Sequence, residues 1–431
     1  MTAEIAIMNK EAIALAADSA VTMRQEKGQK IFTSANKLFA LSKYYPIGIM
    51  IYGSASFMGV PWETIIKIYR SKLAKHNFAT FKKYVDDFVA FLNNGNPLFP
   101  EAQQKEYFYR ITSGYFNNRI KNDIYRKVKL IRRQKGEITD SEIEQIISNV
   151  IEYHYNLWEN AKALPSIPKT HIKNIIDRHG DIIDEARKDV FEKLPISVVS
   201  LDQLKKISAS LVSKDIFPSE ISGVVIAGFG EKDTFPSLKS FDVEGIVNNK
   251  LKYKYKETES DEISFENNAT IIAFAQREMV AAFMEGIDPF LHNQIEGYLS
   301  EIFNEYPEII VENIEKFNLS EKQQLKKKLK KESNKIFKRY REDMTNYRKK
   351  NYVSPVIKVV GILPKDELAA MAESLVSLTS FKRKVTMAAE TVREPIDVAV
   401  ISKGDGFIWI KKKHYFKAEL NPQFFSNYYR R

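Results

Sequence analysis

The sequence has 431 residues, of which 44% are hydrophobic and 28% are charged, so its composition is globular rather than disordered or fibrous. At about 100–200 residues per domain, this length predicts two or three folding units. The absence of cysteine excludes disulfides, thiolate metal sites and cysteine nucleophiles. The net charge is +11, and residues 322–350 alone, with thirteen basic and three acidic residues, carry +10. A chain-wide nucleic-acid footprint is therefore excluded.

The sequence contains no uninterrupted apolar stretch of the roughly 18 residues that a membrane span requires. Its first residues lack a basic region followed by an apolar one, so no signal peptide is expected. The six histidines have no metal-ligand spacing, and no phosphate-binding loop is present. We therefore expect a cytoplasmic protein without membrane contact, metal or cofactor.

The predicted strands and helices are grouped along the chain, with several strands or several helices in succession. The first part predicts four strands, at 2–8, 12–17, 36–41 and 47–52, and then a helix beginning near Pro61. Mostly helical sequence follows over 76–219, before strands at 223–229, 238–243 and 251–255. The remainder predicts a buried helix at 270–285, charged helices at 292–350, a strand at 356–360, a helix at 365–387 and a strand at 396–401. Runs of strands separated by groups of helices favour an α+β fold.

Four residues near the start have a joint chemical use: Thr2, Asp18, Lys37 and Gly53. Met1 precedes a small residue, so its removal would give Thr2 both a hydroxyl nucleophile and a free α-amine to act as base. A lysine beside them stabilises the alkoxide, and an aspartate holds that lysine charged and oriented. A glycine after a strand presents its N–H to an oxyanion. Lys30 competes with Lys37 for the lysine position, but it is offset from the strand pattern.

These residues stand in the segments 2–7, 13–19, 36–41 and 51–55, in which the sequence resembles the proteasome β-subunit family of N-terminal-nucleophile hydrolases. Asp18 follows Thr2 by sixteen residues, in an Ala-Ala-Asp-Ser context that is similar to the family's. The resemblance implies a four-layer αββα sandwich with a helical insertion lobe. It implies core segments at 1–75, 220–288 and 354–431, the last of which includes a C-terminal extension, with a helical insertion at 76–219 and a charged helical insertion at 289–353. It also implies Thr2 as nucleophile, Lys37 and Asp18 as its supporting pair, and Gly53 as the oxyanion donor.

The sequence departs from the family pattern in two places. The family's supporting Asp and its Ser-Gly-Gly are missing near 389–394, where Glu390 or Thr391 are the substitutes to consider. The family's Ser-Gly pair is replaced by the stretch 266–269. Because of these differences, a catalytically inactive subunit is an alternative to an active enzyme.

The resemblance implies a threonine-dependent amidohydrolase, most simply a peptidase of peptide or protein substrates that removal of Met1 activates. The alternatives are a hydrolase of non-peptide amides, and an inactive scaffold that binds a protein or nucleic-acid partner through its insertions. A homo-oligomer or a regulatory protein partner would use the same insertions. Residues 322–350 predict an amphipathic helix, for which a solvated outer face is favoured over nucleic-acid binding. Its apolar stripe comprises Leu325, Leu329, Ile336, Tyr340 and Tyr347.

Overall fold

The computed structural model describes residues 3–25, 28–32, 35–93, 95, 97–192, 194–218, 221–386, 392, 394–423 and 426. These residues form a mixed α+β structure, which confirms the predicted class. The chain divides into two compact units. The first comprises residues 1–38 and 262–431, and the second comprises residues 39–261. The five-segment organisation expected from the sequence stays a prediction.

The described strands are β1 (Ala3–Asn9), β2 (Ala12–Ala17), β3 (Val21–Gln25), β4 (Gly28–Phe32), β5 (Leu38–Ala40), β6 (Ile47–Gly53), β7 (Ser56–Phe57), β8 (Val60–Pro61), β9 (Ser222–Gly228), β10 (Ser237–Val247), β11 (Lys250–Tyr255), β12 (Asp261–Glu262), β13 (Ala269–Ala275), β14 (Asp397–Ser402) and β15 (Gly406–Lys411). The described α-helices are α1 (Trp62–Leu73), α2 (Phe81–Asn93), α3 (Glu101–Tyr115), α4 (Asn122–Lys135), α5 (Asp140–Glu159), α6 (His171–Phe191), α7 (Val198–Leu211), α8 (Glu278–Glu285), α9 (Pro289–Glu312), α10 (Leu319–Arg348), α11 (Ser354–Val360) and α12 (Lys365–Val385).

The first unit is built on a five-stranded antiparallel sheet with the order β13-β1-β2-β14-β15. Helix α12 packs on β1, β2 and β14, and its apolar face covers alternate residues of these strands, such as Ile5, Ile7 and Ala16. All six residues of β2 are buried, as the uninterrupted apolar run predicts. The first two predicted strands are confirmed and pair as an antiparallel hairpin.

Two predicted elements of this unit were wrong. Residues 270–285 were expected to form one buried helix, but only Glu278–Glu285 is helical (α8). Residues 269–275 form strand β13 instead, because pairing with β13 satisfies the backbone of β1 from Ala3 to Asn9. Residues 356–360 were expected to form a strand but belong to helix α11, which continues a helical run through a π-helical turn at Lys349–Val353. Pro355 is the second residue of α11 and directly follows the π-helical turn. The β-branched residues Thr270, Ile271 and Ile272 agree with a strand, whereas α11 is helical despite its β-branched composition, because it packs on β13 and β1.

Helices α9 and α10 pack against each other as a long hairpin. Helix α9 contains five glutamates and no lysine or arginine, whereas α10 contains eleven basic and four acidic residues. Ion pairs join the two, at Lys326–Glu308 (3.1 Å) and Arg341–Glu296 (2.6 Å). No residue of α10 is buried, so this hairpin contributes little to the core.

The second unit contains a sheet with the order β11-β10-β9-β6-β5 and the helices α1 to α7. Helix α2 contacts β9, β10 and β11, and helix α3 contacts β10. Helices α5 and α6 both pack on α7 and extend the apolar core away from the sheet. The helical character predicted for residues 76–219 and the strands predicted after them are confirmed. None of the helices in the described part of the chain combines the length and the apolar character needed to cross a membrane.

Candidate functional site

Asp18 lies just after β2 and is fully buried. Its Oδ1 accepts hydrogen bonds from the backbone N–H of Ala3 (3.0 Å) and from Nζ of Lys37 (2.7 Å). Its Oδ2 accepts from the N–H of Ala20 (3.0 Å), and its own N–H donates to the carbonyl of Ala3 (3.1 Å). The carboxylate therefore fixes the position of the first described residue of β1.

Lys37 directly precedes β5, and its side chain is only 6% exposed. A buried ammonium is stable only when it is paired, and Asp18 supplies that pair within the same unit. The structure thus brings Asp18 and Lys37 together. Lys30, the competing lysine, belongs to strand β4.

Three residues of the predicted site, Thr2, Glu390 and Thr391, lie outside the described residues. Met1 lies outside them as well. The described chain begins at Ala3, whose backbone N–H and C=O both bond to Asp18.

Gly53 ends β6 in the second unit. Its φ is +81°, and a Cβ built on it would lie 2.1 Å from the carbonyl oxygen of Ile221, so only glycine fits there. The N–H of the next residue, Ser54, donates to that carbonyl of Ile221 (3.1 Å), on the side of β9. Because consecutive N–H groups of a strand point to opposite sides, the N–H of Gly53 points away from β9.

Glu4 is a charged residue that the sequence reasoning missed. It lies on β1, is 1% exposed, and neither carboxylate oxygen has a hydrogen-bond partner among the described residues. Burial raises the pKa of this carboxyl to about 8, with Lys37 lowering it and Asp18 raising it by smaller amounts. The sequence shows one acidic residue among apolar ones. Because side chains alternate along a strand, this pattern predicts that Glu4 faces outward, and its burial was therefore not expected.

Glu4 shares one face of the sheet with a second buried carboxylate. Glu4 pairs with Ala17 of β2, and Ala17 pairs with Asp397 of β14. Directly paired residues of neighbouring strands point to the same face, so Glu4 and Asp397 share a face, with their Cα atoms two strand spacings, or about 10 Å, apart. Asp397 accepts hydrogen bonds from the N–H (2.8 Å) and from Nζ (2.5 Å) of Lys413. Asp397 is therefore neutralised by its own lysine, in contrast to Glu4.

No group of three or more histidine, aspartate or glutamate side chains in the described ranges could hold a metal ion. The chemistry that the described site supports is that of a buried carboxylate–ammonium pair beside the start of a strand.

Helix α9 presents a second surface of interest. Six large apolar side chains lie along it at steps of three and four residues, each at least 38% exposed: Leu291, Ile295, Tyr298, Ile302, Tyr306 and Ile309. Glu301, Glu305 and Glu312 follow one edge of this stripe at similar helical steps. An exposed apolar stripe of this length is typical of a surface that binds a partner.

A scan against models of known protein families finds no match, and a search of curated proteins finds none either.

Proposed function

We propose that this chain is a threonine-dependent N-terminal-nucleophile amidohydrolase, most simply a peptidase. The observation that carries the proposal is the buried Asp18–Lys37 pair, whose carboxylate also binds the backbone of Ala3. Thr2 is joined to Ala3 by a peptide bond, which keeps consecutive Cα atoms about 3.8 Å apart. The hydrogen bond from the N–H of Ala3 therefore supports a location of Thr2 beside the ion pair.

In the proposed reaction, removal of Met1 leaves Thr2 with a free α-amine. The Thr2 hydroxyl oxygen attacks the substrate amide carbon while its proton passes to this amine. The tetrahedral intermediate collapses, the C–N bond breaks, and the leaving nitrogen takes the proton from the α-ammonium. Water then attacks the resulting ester and gives a proton to the amine, and the carboxylic acid is released with the Thr2 hydroxyl restored.

Lys37, Asp18 and Gly53 stabilise the charges that form during these steps. The Lys37 ammonium stabilises negative charge on the attacking oxygen and disfavours protonation of the α-amine. Asp18 holds Lys37 in its charged form and in one position. The N–H of Gly53 is the proposed donor to the oxyanion, because its strand-end position and the absence of a side chain let a carbonyl approach.

A four-layer αββα sandwich is the fold that fits this proposal. In the first unit α12 covers one face of the sheet, and Ala6, Met8 and Leu15 on the other face are fully buried. In the second unit Val224 and Ile226 belong to the core that includes the helices, and Val225 and Ala227 on the opposite face are also buried. Each sheet thus has helices on one face and a second buried apolar face, which is the pattern of an inner layer.

The experiment is hydrolysis of fluorogenic peptide amides by the full chain after Met1 removal has been verified by intact mass. Thr2→Ala is expected to abolish turnover, and Thr2→Ser to retain part of it because the hydroxyl and the amine persist. Simple non-peptide amides in the same assay distinguish the broader amidohydrolase alternative. Equal turnover by wild type and Thr2→Ala would reject the mechanism.

Self-association through the α9–α10 hairpin is a second candidate function, favoured by the exposed stripe of α9. The acidic edge of α9 and the basic face of α10 make two copies of the hairpin complementary in charge. Sedimentation equilibrium should then show a dimer that Tyr298→Asp dissociates. Tyr153→Asp, at an equally exposed tyrosine of α5, should leave the dimer intact. A monomeric wild type at all concentrations rejects this candidate.

A further inference from the structure

We propose that Glu4 is a third ionisable residue of the Asp18–Lys37 site, and that it carries a proton at neutral pH. This inference rests on the proposed function for its catalytic consequence, though not for the protonation itself. A protonated Glu4 leaves the charges of Asp18 and Lys37 in balance. An ionised Glu4 would add a negative charge beside the proposed nucleophile.

The burial of Glu4 is the first argument. Its side chain is 1% exposed on a strand in which all seven residues are buried. An ionised carboxylate without a partner in such surroundings is strongly disfavoured, and a buried acid commonly takes up a proton instead. Both oxygens of Glu4 lack partners among the described residues, whereas Asp18 accepts hydrogen bonds from Ala3, Ala20 and Lys37.

The neighbouring charges are the second argument. Lys37 favours the ionised form of Glu4, but its ammonium donates to Asp18 at 2.7 Å and is already neutralised by it. Asp18 disfavours the ionised form. Across the sheet, Asp397 is paired with Lys413, and the residues directly beside Glu4 on β2 and β13 are Ala17 and Phe274. Burial therefore outweighs the attraction of Lys37.

An apolar residue at this position would avoid the cost of burying a carboxyl, so the acid needs an explanation beyond packing. The proposed reaction provides one. The α-amine of Thr2 must be neutral to act as base, and a new negative charge near it would favour its ammonium form. Ionisation of Glu4 at alkaline pH would thus reduce turnover, which makes Glu4 a positioning residue for charge rather than a catalytic one.

The protonation is tested by urea denaturation of the full chain between pH 5 and pH 9, comparing wild type with Glu4→Gln. Since the folded-state pKa of Glu4 lies above its unfolded value, its carboxyl penalises folding increasingly as pH rises from the unfolded to the folded pKa. Glu4→Gln should unfold at a higher midpoint than wild type at pH 8, and the two midpoints should converge near pH 5. A difference that does not change with pH, or a lower midpoint for the variant at pH 8, overturns the proposal.

A matched control is Glu259→Gln, because Glu259 is equally buried but is paired with Lys256 (2.6 Å) and accepts a hydrogen bond from Tyr52 Oη (2.9 Å). This variant should have a lower midpoint than wild type at pH 8. If Glu4→Gln fails to fold, Glu4→Met, which is apolar and close in size, should still show the higher midpoint at pH 8.

The catalytic consequence is tested by the pH profile of peptide hydrolysis. The turnover rate of wild type should decrease above about pH 8. The turnover rate of Glu4→Gln should not decrease there, and its pH dependence below neutral pH should equal that of wild type. An unchanged alkaline fall in the variant overturns the catalytic part of the inference and leaves the proposed function standing. Absence of hydrolysis in wild type rejects the proposed function, and the denaturation series then decides the protonation of Glu4 independently.

Discussion

The Asp18 carboxylate accepts a hydrogen bond from the Lys37 ammonium at 2.7 Å, with the two side chains 0% and 6% exposed. The same carboxylate binds the backbone N–H groups of Ala3 and Ala20. One side chain thus connects the start of β1, the chain after β2 and the residue before β5.

The contribution of the Asp18–Lys37 ion pair to the free energy of unfolding can be measured by a double-mutant cycle. Asp18→Asn or Lys37→Met alone should destabilise the protein by about 3–5 kcal/mol, because each leaves an unpaired buried charge. The double variant should lose clearly less than the sum of the two. The exposed Lys67–Glu63 pair provides the control, with a coupling of about 0–1 kcal/mol in the same urea denaturation experiment. Additive effects at Asp18 and Lys37 would contradict the pairing.

Gly53→Ala should test the close contact at the end of β6. The new methyl group would meet the carbonyl oxygen of Ile221 at 2.1 Å, so the backbone must shift, at a cost of roughly 3 kcal/mol or more. Gly406 has nearly the same φ, +80°, but has no atom within 4 Å of its Cβ position. Gly406→Ala should therefore cost only about 1 kcal/mol. Equal losses in thermal denaturation would show that the contact with Ile221 is unimportant.

Asn9 ties the first hairpin to the end of α11. Its Nδ2 donates to the carbonyls of Val360 (3.1 Å) and Leu363 (2.9 Å), and its Oδ1 accepts from the N–H of Glu11 and Ala12. Asn9→Ala should destabilise the protein by about 2–4 kcal/mol, because it leaves several of these backbone groups unpaired. Asn421→Ala, which removes one exposed side-chain bond to the carbonyl of Lys417, should cost under about 0.5 kcal/mol. Chemical denaturation at neutral pH measures both.

Acid stability should depend on His171 at the start of α6. Burial lowers the pKa of this imidazole to about 4, and the positive charge of Lys250 adds to the shift. A histidine with a depressed folded-state pKa stabilises the protein above its unfolded pKa, and this stability is lost as pH falls toward the folded value. Between about pH 6.5 and pH 4 the loss should be about 3 kcal/mol in wild type relative to His171→Leu. A difference between wild type and His171→Leu that stays constant from about pH 6.5 to pH 4 in parallel urea titrations would contradict this.

Much of the fold was predictable, because strand and helix periods are local features of the sequence. The four strands predicted up to residue 52 and the helices of residues 76–219 were placed correctly on that basis, whereas β3 and β4 were not predicted. Strand β13 and helix α11 were not, since both are apolar runs whose conformation depends on what they pack against. Strand β13 is fixed by its register with β1, which joins residues more than 250 positions apart.

The residues of the site likewise fall into two groups: those that the local sequence identifies and those that only the folded chain reveals. The sequence context pointed to Asp18, and the position at the start of a predicted strand pointed to Lys37; the folded chain joins the two by a hydrogen bond. Glu4 and its relation to Asp397 could not be found this way, because both depend on which face of the sheet is buried. Alternation alone predicts an exposed position for a glutamate between Ala3 and Ile5, and only the fold reveals that both faces of β1 are covered.

The central claim is that Thr2 becomes a nucleophile with a free amine. The most direct measurement is intact-mass and peptide-mapping analysis of the full chain after treatment with a peptide epoxyketone, which forms a ring adduct only with a hydroxyl and an adjacent α-amine. The account predicts loss of Met1 and one adduct, mapped to Thr2 and absent from Thr2→Ala. Retention of Met1 in the purified protein, or an adduct formed equally in Thr2→Ala, would contradict it.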